Sequence, residues 1–359
     1  MDEMRVYEDL AAALNRLPHG FPRTPSRAEI PLLQEIFRPD QARLAGTLSE
    51  RFESADEIAR RQQLHPDDTE TALLGMARRG LVWVKGTPER KEFRLAPFVV
   101  GIYEAQLARM DERLAALVDA YLQDGGAVGI MGAEPAIHRV LPAQASLKPE
   151  WVLPYEDVKR ILSTAKTFRV RDCICRVHMD KIGRDCDFPL NMCLSYSTQE
   201  RPPSPKDISR EQAFELLDRA EEVGLVHTVS NVQVGALLPH ENGYVCNCCG
   251  CCCLVLRGIT KWGVANSVAH ASYRARLDAG TCTDCGICVD RCQVNALART
   301  PEGVVLDPAR CIGCGLCVST CPTEAMQLER RPEEDILVPP RDLADWEEAR
   351  RRGRGSPTS

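Results

Sequence analysis

The 359-residue sequence has few aromatic residues and no apolar run long enough to cross a bilayer. A membrane-spanning helix needs about 20 consecutive apolar residues, whereas apolar stretches such as 98–102 are far shorter. The first ten residues, MDEMRVYEDL, are acidic and lack the apolar core of a signal peptide. We therefore expect the protein to be soluble and cytoplasmic.

Excess positive charge and nucleotide-binding motifs are also missing. The net charge is −6 at pH 7, so the chain as a whole has no electrostatic attraction for nucleic acid or for an anionic membrane. No G-x-G-x-x-G or Walker motif is present, so the sequence gives no support to flavin, nicotinamide or ATP chemistry within this chain. No catalytic triad or carboxylate pair can be argued from the sequence, and catalytic residues are left unassigned.

What the sequence has in excess is cysteine, with 18 residues. In a reducing compartment, many closely spaced cysteines indicate metal ligands rather than disulfides. Eight of them form two ladders near the C-terminus, and each ladder has the spacing C-x2-C-x2-C-x3-C. The first ladder is Cys282, Cys285, Cys288 and Cys292, and the second is Cys311, Cys314, Cys317 and Cys321.

The repeated ladder has the ligand spacing of cubane iron–sulfur clusters, with Gly286, Gly313 and Gly315 where the backbone must turn tightly. The segment from about 275 to 330 closely resembles the bacterial two-cluster ferredoxin domain, which moves single electrons between enzymes. In that family the fourth cysteine of each ladder ligates the other cluster. The resemblance implies two [4Fe-4S] clusters, one on Cys282, Cys285, Cys288 and Cys321, and one on Cys311, Cys314, Cys317 and Cys292.

One position of the ladders departs from that family. Gln293 stands where proline usually follows the fourth cysteine, which leaves ligation intact but bears on the potential and exposure of the second cluster. Structural zinc is the alternative for the ladders, although zinc ribbons use two separated C-x2-C pairs. Because oxygen oxidises clusters that solvent can reach, the sequence also favours an anaerobic or microaerobic host.

Ten further cysteines lie in a middle region that we assign to residues 151–273. The first four of them are Cys173, Cys175, Cys186 and Cys193, which are enough for one metal site. Alternate side chains of an extended segment share a face, so the C-x-C pair could chelate. Arg171 and Arg176 flank this pair, and their guanidinium groups are expected to lower the pKa of the thiols. An iron–sulfur cluster, zinc and unligated thiols all remain open here.

The densest feature is the run VCNCCGCCC at 245–253, with six thiols in eight residues. Neighbouring side chains diverge, so the six thiols cannot all face one ion, but Cys246, Cys249 and Cys252 repeat the three-point spacing of the ladders. The run therefore predicts a further cluster, shared with the first four middle cysteines, and a redox-active dithiol is the alternative. Weaker candidate ligands are His178, His227 and His240. The whole arrangement looks like multi-domain iron–sulfur proteins of anaerobic bacteria.

The pattern over residues 28–100 resembles a winged helix. The sequence predicts helices over 28–37, 39–48, 54–62 and 66–79, then strands over 81–84 and 92–95. The helix that would enter the DNA major groove begins with Asp67, Asp68 and Glu70, which would repel phosphate. The sequence therefore argues against DNA binding by this module.

The sequence as a whole predicts an α+β, multi-domain chain. Its segments are an N-terminal extension (1–27), the winged-helix-like domain (28–100), a linking helix and loop (101–150), the cysteine-rich middle domain (151–273), the ferredoxin domain (274–332) and a C-terminal tail (333–359), disordered over its last ten residues. Further helices are predicted over 103–123, 155–168 and 209–223. The helix at 103–123 and the winged helix are the candidate surface of a homodimer.

Three functions follow from these observations. The favoured one is an iron–sulfur electron-transfer protein that exchanges electrons with redox partner proteins. The second is a transcriptional regulator whose clusters sense redox state and act through the winged helix. The third is an oxidoreductase whose own active site lies among the middle cysteines.

Overall fold

The computed structural model describes residues 3–87, 89–147, 152–236, 238 and 242–355 and combines helices with strands. It divides into two compact units. Unit 1 comprises residues 1–130, 177–185 and 350–359, and unit 2 comprises residues 131–176 and 186–349. Among the described residues, no helix is both long enough and apolar enough to span a membrane.

Unit 1 opens with five helices and a three-stranded antiparallel sheet. The helices are α1 (Glu3–Arg16), α2 (Glu29–Ile36), α3 (Pro39–Gly46), α4 (Ala55–Gln62) and α5 (Pro66–Arg78). The strands are β1 (Glu53–Ser54), β2 (Val82–Thr87) and β3 (Arg90–Leu95), in the order β1-β3-β2. The four helices and two strands predicted over 28–95 are present, and the winged-helix assignment itself stays a prediction.

Local capping explains why helix α4 was predictable. The Ser54 hydroxyl accepts a hydrogen bond from the backbone N–H of Glu57, and the Glu57 carboxylate accepts one from the backbone N–H of Ser54. This reciprocal pair satisfies two N–H groups that would otherwise lack a partner at the start of the helix.

The segment that we named an N-terminal extension is also built into unit 1, because α1 packs against α3 and the Tyr7 hydroxyl donates to the Phe37 carbonyl at 3.0 Å.

The continuous helix predicted over 103–123 is wrong. A short helix, α6 (Tyr103–Ala105), and a 3-10 turn (Leu107–Arg109) end at Met110, whose backbone is extended. Asp111 then caps a new helix, α7 (Glu112–Tyr121), by accepting a hydrogen bond from the Leu114 N–H at 2.8 Å. A π-turn (Leu122–Gly126) and α8 (Ala127–Met131) follow. The apolar stripe is therefore divided between separate helices.

Unit 2 is built on a seven-stranded sheet. Its strands are β4 (His138–Leu141), β5 (Thr167–Arg171), β6 (Cys193–Ser197), β7 (Asp207–Ile208), β8 (Val226–Ser230), β9 (Asn242–Cys248) and β10 (Val268–Ala269). The strand order is β10-β4-β8-β9-β6-β5-β7, with β10–β4 parallel and each other pair antiparallel. The helices α9 (Val158–Leu162) and α11 (Arg210–Val223) contribute Leu162 and Leu217 to the core on this sheet.

Two predictions for helices in unit 2 had opposite outcomes. The helix predicted over 155–168 is wrong in extent, because α9 ends at Leu162 and Phe168 lies in β5, where it pairs with Tyr196 and packs into the core. The helix predicted over 209–223 is confirmed, with Ser209 and Gln212 forming its capping box.

The remaining elements of unit 2 carry the cysteine-rich loops and the C-terminus. They are α12 (Leu254–Thr260), α13 (Ile287–Arg291), β11 (Tyr273–Leu277), β12 (Leu297–Thr300), β13 (Gly303–Leu306) and β14 (Met326–Arg330), together with α10 (Ile174–Lys181) and α14 (Leu343–Gly353), whose last residues belong to unit 1. Strand β11 pairs with β14, and β12 pairs with β13, both antiparallel.

The prediction that the last ten residues are disordered is also wrong, for the residues up to 355. Helix α14 covers residues 343–353, and Arg350 is fully buried within unit 1, where its guanidinium donates to the carbonyls of Pro18 and Ile130. In unit 2, the indole of Trp346 is fully buried and donates to the Ala136 carbonyl at 3.0 Å. The cluster of charged residues at 350–354 suggested a solvated segment. The hydrogen-bond partners of Arg350 and Trp346 are distant in sequence and could not be predicted from it.

Candidate metal centres

Pairing of β11 with β14 brings the two ladders together. Leu277, five residues before the first ladder, is opposite Met326, five residues after the second. The beginning of one ladder thus lies beside the end of the other. A small cavity at this point is lined by four cysteines, namely Cys282, Cys285, Cys288 and Cys321.

Cys292 of the first ladder lies beside the second ladder. Burial, together with the nearby thiolates of Cys292 and Cys311, raises the pKa of Cys314 to about 12. Burial also raises the pKa of Cys317, with the charges of Cys314, Cys311 and Cys292 adding to it. A metal centre would offset this mutual repulsion, so these four thiols are a suitable donor set for one.

Backbone N–H groups point at the ladder sulfurs. The Asp284 N–H donates to Cys282 Sγ at 3.4 Å, and the Ala275 N–H donates to Cys311 Sγ at 3.3 Å. The Ala296 N–H donates to Cys292 Sγ at 3.2 Å, and the Met326 N–H donates to Cys321 Sγ at 3.4 Å. Burial of Cys321 raises its pKa, but the backbone N–H groups of Met326 and Thr323 outweigh burial, and the pKa is lowered. Such hydrogen bonds stabilise the thiolate form that a metal requires.

Gly313 shows why the ladder loops need glycine. Its φ is +77°, a conformation that residues with a Cβ rarely adopt, and a Cβ there would collide with the carbonyl oxygen of Tyr273. The close approach of this loop to β11 therefore depends on the absence of a side chain.

The ten middle cysteines separate into two groups. The four-thiol group consists of Cys186, Cys249, Cys251 and Cys252, whose Sγ atoms all lie within 4.8 Å of one another. The six-thiol group is a run of side-chain contacts in the order Cys173, Cys175, Cys253, Cys248, Cys246 and Cys193. Within it, the Cys253 and Cys248 sulfurs are 3.3 Å apart.

This partition differs from the grouping predicted from sequence spacing. Cys186 lies with the run at 249–252 rather than with Cys173, Cys175 and Cys193. Cys246 is separated from Cys249 because it lies in β9, where side chains alternate between faces with a period of two. Cys246 and Cys248 therefore share a face. The predicted grouping of Cys246 with Cys249 and Cys252, at intervals of three residues, is not found because the strand ends between them.

The C-x-C pair also differs from its prediction in conformation and in pKa. Helix α10 begins at Ile174, so Cys175 lies in the first turn of a helix and not in an extended segment. Contact with the Cys175 thiol and burial raise the pKa of Cys173, which outweighs the opposing charge of Arg176. Arg176 thus lowers the pKa of Cys173 as expected, but the thiol contact and burial outweigh it and the pKa is raised overall.

Arg176 is nonetheless a central residue of both groups. It is 2% exposed and donates to the carbonyls of Pro189 and Asn247, each at 2.8 Å. Burial lowers its pKa, but the charges of Cys173 and Cys249, together with a hydrogen bond to the Cys249 thiol, raise it overall. A buried guanidinium thus stays charged among the thiols and offsets part of any thiolate charge.

The candidate histidine ligands have other partners. His178, in unit 1, is hydrogen-bonded to the Tyr103 hydroxyl at 3.0 Å and to the Ala115 carbonyl at 3.1 Å. His227 contacts Asn247 Oδ1 at 2.6 Å and Glu221 Oε1 at 3.3 Å. Both ring nitrogens of each residue are thus engaged in hydrogen bonds in this structure. His240 lies outside the described residues.

Gln293 joins the ladders to the middle cysteines. Its side-chain Oε1 accepts a hydrogen bond from the Gly250 N–H at 2.8 Å, and a Cβ on Gly250 would collide with the Gln293 carbonyl oxygen. Gly250 lies between Cys249 and Cys251, and Gln293 follows Cys292. The sequence marked Gln293 only as a departure from the ladder pattern, and no local signal connects it to Gly250.

Comparison with known proteins supports an iron–sulfur assignment for the C-terminal segment. Residues 274–330 match the family described as 4Fe-4S dicluster domain. No curated protein matches the chain. The protein thus carries a 4Fe-4S dicluster domain near its C-terminus, and its middle region contains a cysteine group able to hold a further metal centre.

Proposed function

We propose that the protein transfers single electrons through two [4Fe-4S] clusters held by the two ladders. The observation that carries this proposal is the cavity lined by Cys282, Cys285, Cys288 and Cys321, in which three thiols of one ladder meet the fourth of the other. This exchange of the fourth ligand is typical of two-cluster ferredoxins. When bound, each cluster accepts and returns one electron.

The two proposed sites differ in access to solvent. Cys285 is exposed, whereas Cys311 and Cys317 are buried. The charges of Cys317 and Cys288 interact, so the two sites are neighbours. The first site therefore exchanges electrons with redox partner proteins, and the second accepts them within the protein. The N–H groups that donate to the ladder sulfurs stabilise the thiolates and tune the potential at each site.

The six-thiol group supplies a further redox centre in this proposal. Its members are linked by contacts rather than gathered around one point, which suits a cluster or a dithiol better than a single ion. Cys248 and Cys253 are buried, and Arg176 offsets negative charge at Cys173 and Cys248. A substrate reduced at this centre would make the protein an oxidoreductase in its own right.

Anaerobic purification of the full chain tests the proposal. We expect about eight irons and eight acid-labile sulfides or more per chain, because two cubanes carry four of each. Broad visible absorption should bleach with dithionite and return on reoxidation, with at least two electrons taken up per chain. Stoichiometric zinc without this absorption would contradict the proposal.

The regulator hypothesis is weakened by charge pairing in unit 1. Lys91 pairs with Glu70 at 2.8 Å, and Lys85 pairs with Glu92 at 3.0 Å. Arg79 is engaged by the Gln41 side chain and the Ile36 carbonyl. These basic groups, which would contact phosphate from the helix end and the wing, already have partners.

We therefore expect no specific binding to duplex DNA at physiological salt. Asp67 and Asp68 are exposed in the first turn of α5 and would repel phosphate. Gel shifts with fragments of the host genome should show no complex in the nanomolar range typical of specific recognition. The variant Asp67→Lys/Asp68→Lys serves as a control and should gain only salt-sensitive, sequence-independent binding. A nanomolar complex of the wild type at one genomic site would restore the regulator hypothesis.

A further inference from the structure

We propose that the four-thiol group of Cys186, Cys249, Cys251 and Cys252 binds a single divalent metal ion in tetrahedral coordination, not a cubane cluster. The ion is of the class that prefers four thiolates, namely zinc or iron. This site is separate from both ladders, and its existence does not depend on the electron-transfer function.

The spacing of the sulfurs fits one ion. A metal–sulfur bond of about 2.3 Å places the sulfurs of a tetrahedral site about 3.8 Å apart. Here the Cys252 sulfur is 3.4 Å from that of Cys186 and 3.6 Å from that of Cys251, and all four sulfurs lie within 4.8 Å of one another. These separations are close to the edge length of a single coordination tetrahedron.

A cubane requires a wider arrangement. Each of its four thiolates binds a different iron, so the sulfurs stand further apart than the edges of one tetrahedron. The ladders provide an internal comparison, because they belong to a 4Fe-4S dicluster domain. In the part of the chain that the structure describes, the four-thiol group is the one set of three or more Cys, His, Asp or Glu ligand atoms gathered within 4.8 Å, and the ladders are not so contracted.

The chain path explains how four thiols converge. Strand β9 ends at Cys248, and the chain turns through residues 249–253 before α12 begins at Leu254. In this turn the Cys253 N–H donates to the Cys249 carbonyl at 3.2 Å, and the Thr260 hydroxyl donates to the Gly250 carbonyl at 3.2 Å. These bonds fix the loop that supplies three of the ligands.

Charge also favours the site. Four thiolates around a divalent ion leave a net charge of −2, which is costly to bury without a counter-charge. The buried Arg176 guanidinium interacts with the charge of Cys249 and offsets part of this charge. Cys249 and Cys252 are buried, whereas Cys251 is exposed, so one edge of the site is open for the ion to enter.

The ion would hold the loop against the end of the first ladder. Gly250, between two of the ligands, donates to Gln293 at 2.8 Å, next to Cys292. A bound ion thus fixes the loop that contacts the residue following a proposed cluster ligand.

Metal and sulfide analysis of the anaerobically purified full chain tests this site. We compare the wild type with Cys186→Ser/Cys251→Ser, which leaves only two thiols in the group, and with Cys285→Ser as a control in the first ladder. The double variant should lose one equivalent of zinc or iron and no acid-labile sulfide. The control should lose about four irons and four sulfides.

X-ray absorption identifies the coordination of the lost metal. For zinc we expect four sulfurs at about 2.3 Å and no neighbouring metal. For iron, mild oxidation of the wild type should give the EPR signal of an isolated high-spin ferric tetrathiolate. This signal should be missing in the double variant. If circular dichroism shows that the double variant does not fold, the single variant Cys251→Ser is compared with the wild type instead, by the same metal analysis and spectra. Loss of several irons together with sulfide would establish a cluster instead, and unchanged metal content would show that the thiols hold no ion.

Discussion

Cys314→Ala is expected to remove about four irons and four sulfides per chain and to leave the other cluster of the dicluster domain in place. Cys314 is surrounded by the charges of Cys292 and Cys311, and an alanine there offers no thiolate to complete the proposed ligand set. Iron and sulfide analysis, with the EPR spectrum of the reduced protein, measures the loss.

Two further variants test whether the ladders exchange their fourth ligands. Cys292→Ala should remove the same EPR signal as Cys314→Ala, whereas Cys321→Ala should remove the signal lost in Cys285→Ala. The physical reason is that Cys321 lines the cavity of Cys282, Cys285 and Cys288. If Cys321→Ala instead reproduces the spectrum of Cys314→Ala, each ladder holds its own cluster and the proposed ligand sets are incorrect.

Glu156→Ala is expected to destabilise the protein by about 3–5 kcal/mol, because it leaves a buried arginine without its counter-charge. Arg139 and Glu156 are both fully buried in unit 2, with 3.0 Å between the guanidinium and the carboxylate. The same carboxylate oxygen accepts the Ser272 N–H at 2.7 Å, directly before β11. The free energy of unfolding is measured by anaerobic denaturant titration followed by circular dichroism.

An exposed ion pair of the same unit provides the matched control. Arg341 contacts Asp342 at 3.1 Å, with 71% of the arginine side chain exposed. Arg341→Ala should cost less than about 1 kcal/mol, as exposed pairs do. Glu156→Gln keeps an acceptor for Ser272 and separates the loss of charge from the loss of that hydrogen bond. Equal, small effects of Glu156→Ala and Arg341→Ala would contradict the buried-pair argument.

Features encoded by near neighbours were predictable from the sequence. Helices α4 and α11 were placed correctly because Ser54 and Glu57, and likewise Ser209 and Gln212, satisfy backbone groups within one turn. The ladders were recognised for the same reason, since three of the proposed ligands of each cluster lie within a few residues. The break at Met110 was missed because apolar residues keep their helical spacing across it, although the helical backbone is interrupted there.

Features that depend on distant partners were not predictable. Cys186 meets Cys252 across 66 residues, and nothing in the local spacing assigns it to that group rather than to Cys193. The buried charges of Arg139 and Arg350 depend likewise on groups far away in the sequence, such as Glu156 and the Pro18 carbonyl. Sequence patterns indicated how many thiols the middle region has, and only the sheet determines which of them meet.

The Gln293–Gly250 contact constrains how this chain can diverge. Proline, the usual residue after the fourth ladder cysteine, has no side-chain acceptor for the Gly250 N–H, and any larger residue at 250 would collide with the Gln293 backbone. Gly250 is therefore expected to be retained whatever residue stands at 293, because its Cβ position faces a backbone carbonyl, whereas Gln293 is expected where the Gly250 N–H uses its side-chain acceptor. Gln293, a departure from the ferredoxin pattern, thus supplies a hydrogen-bond acceptor to a loop 43 residues earlier in the chain.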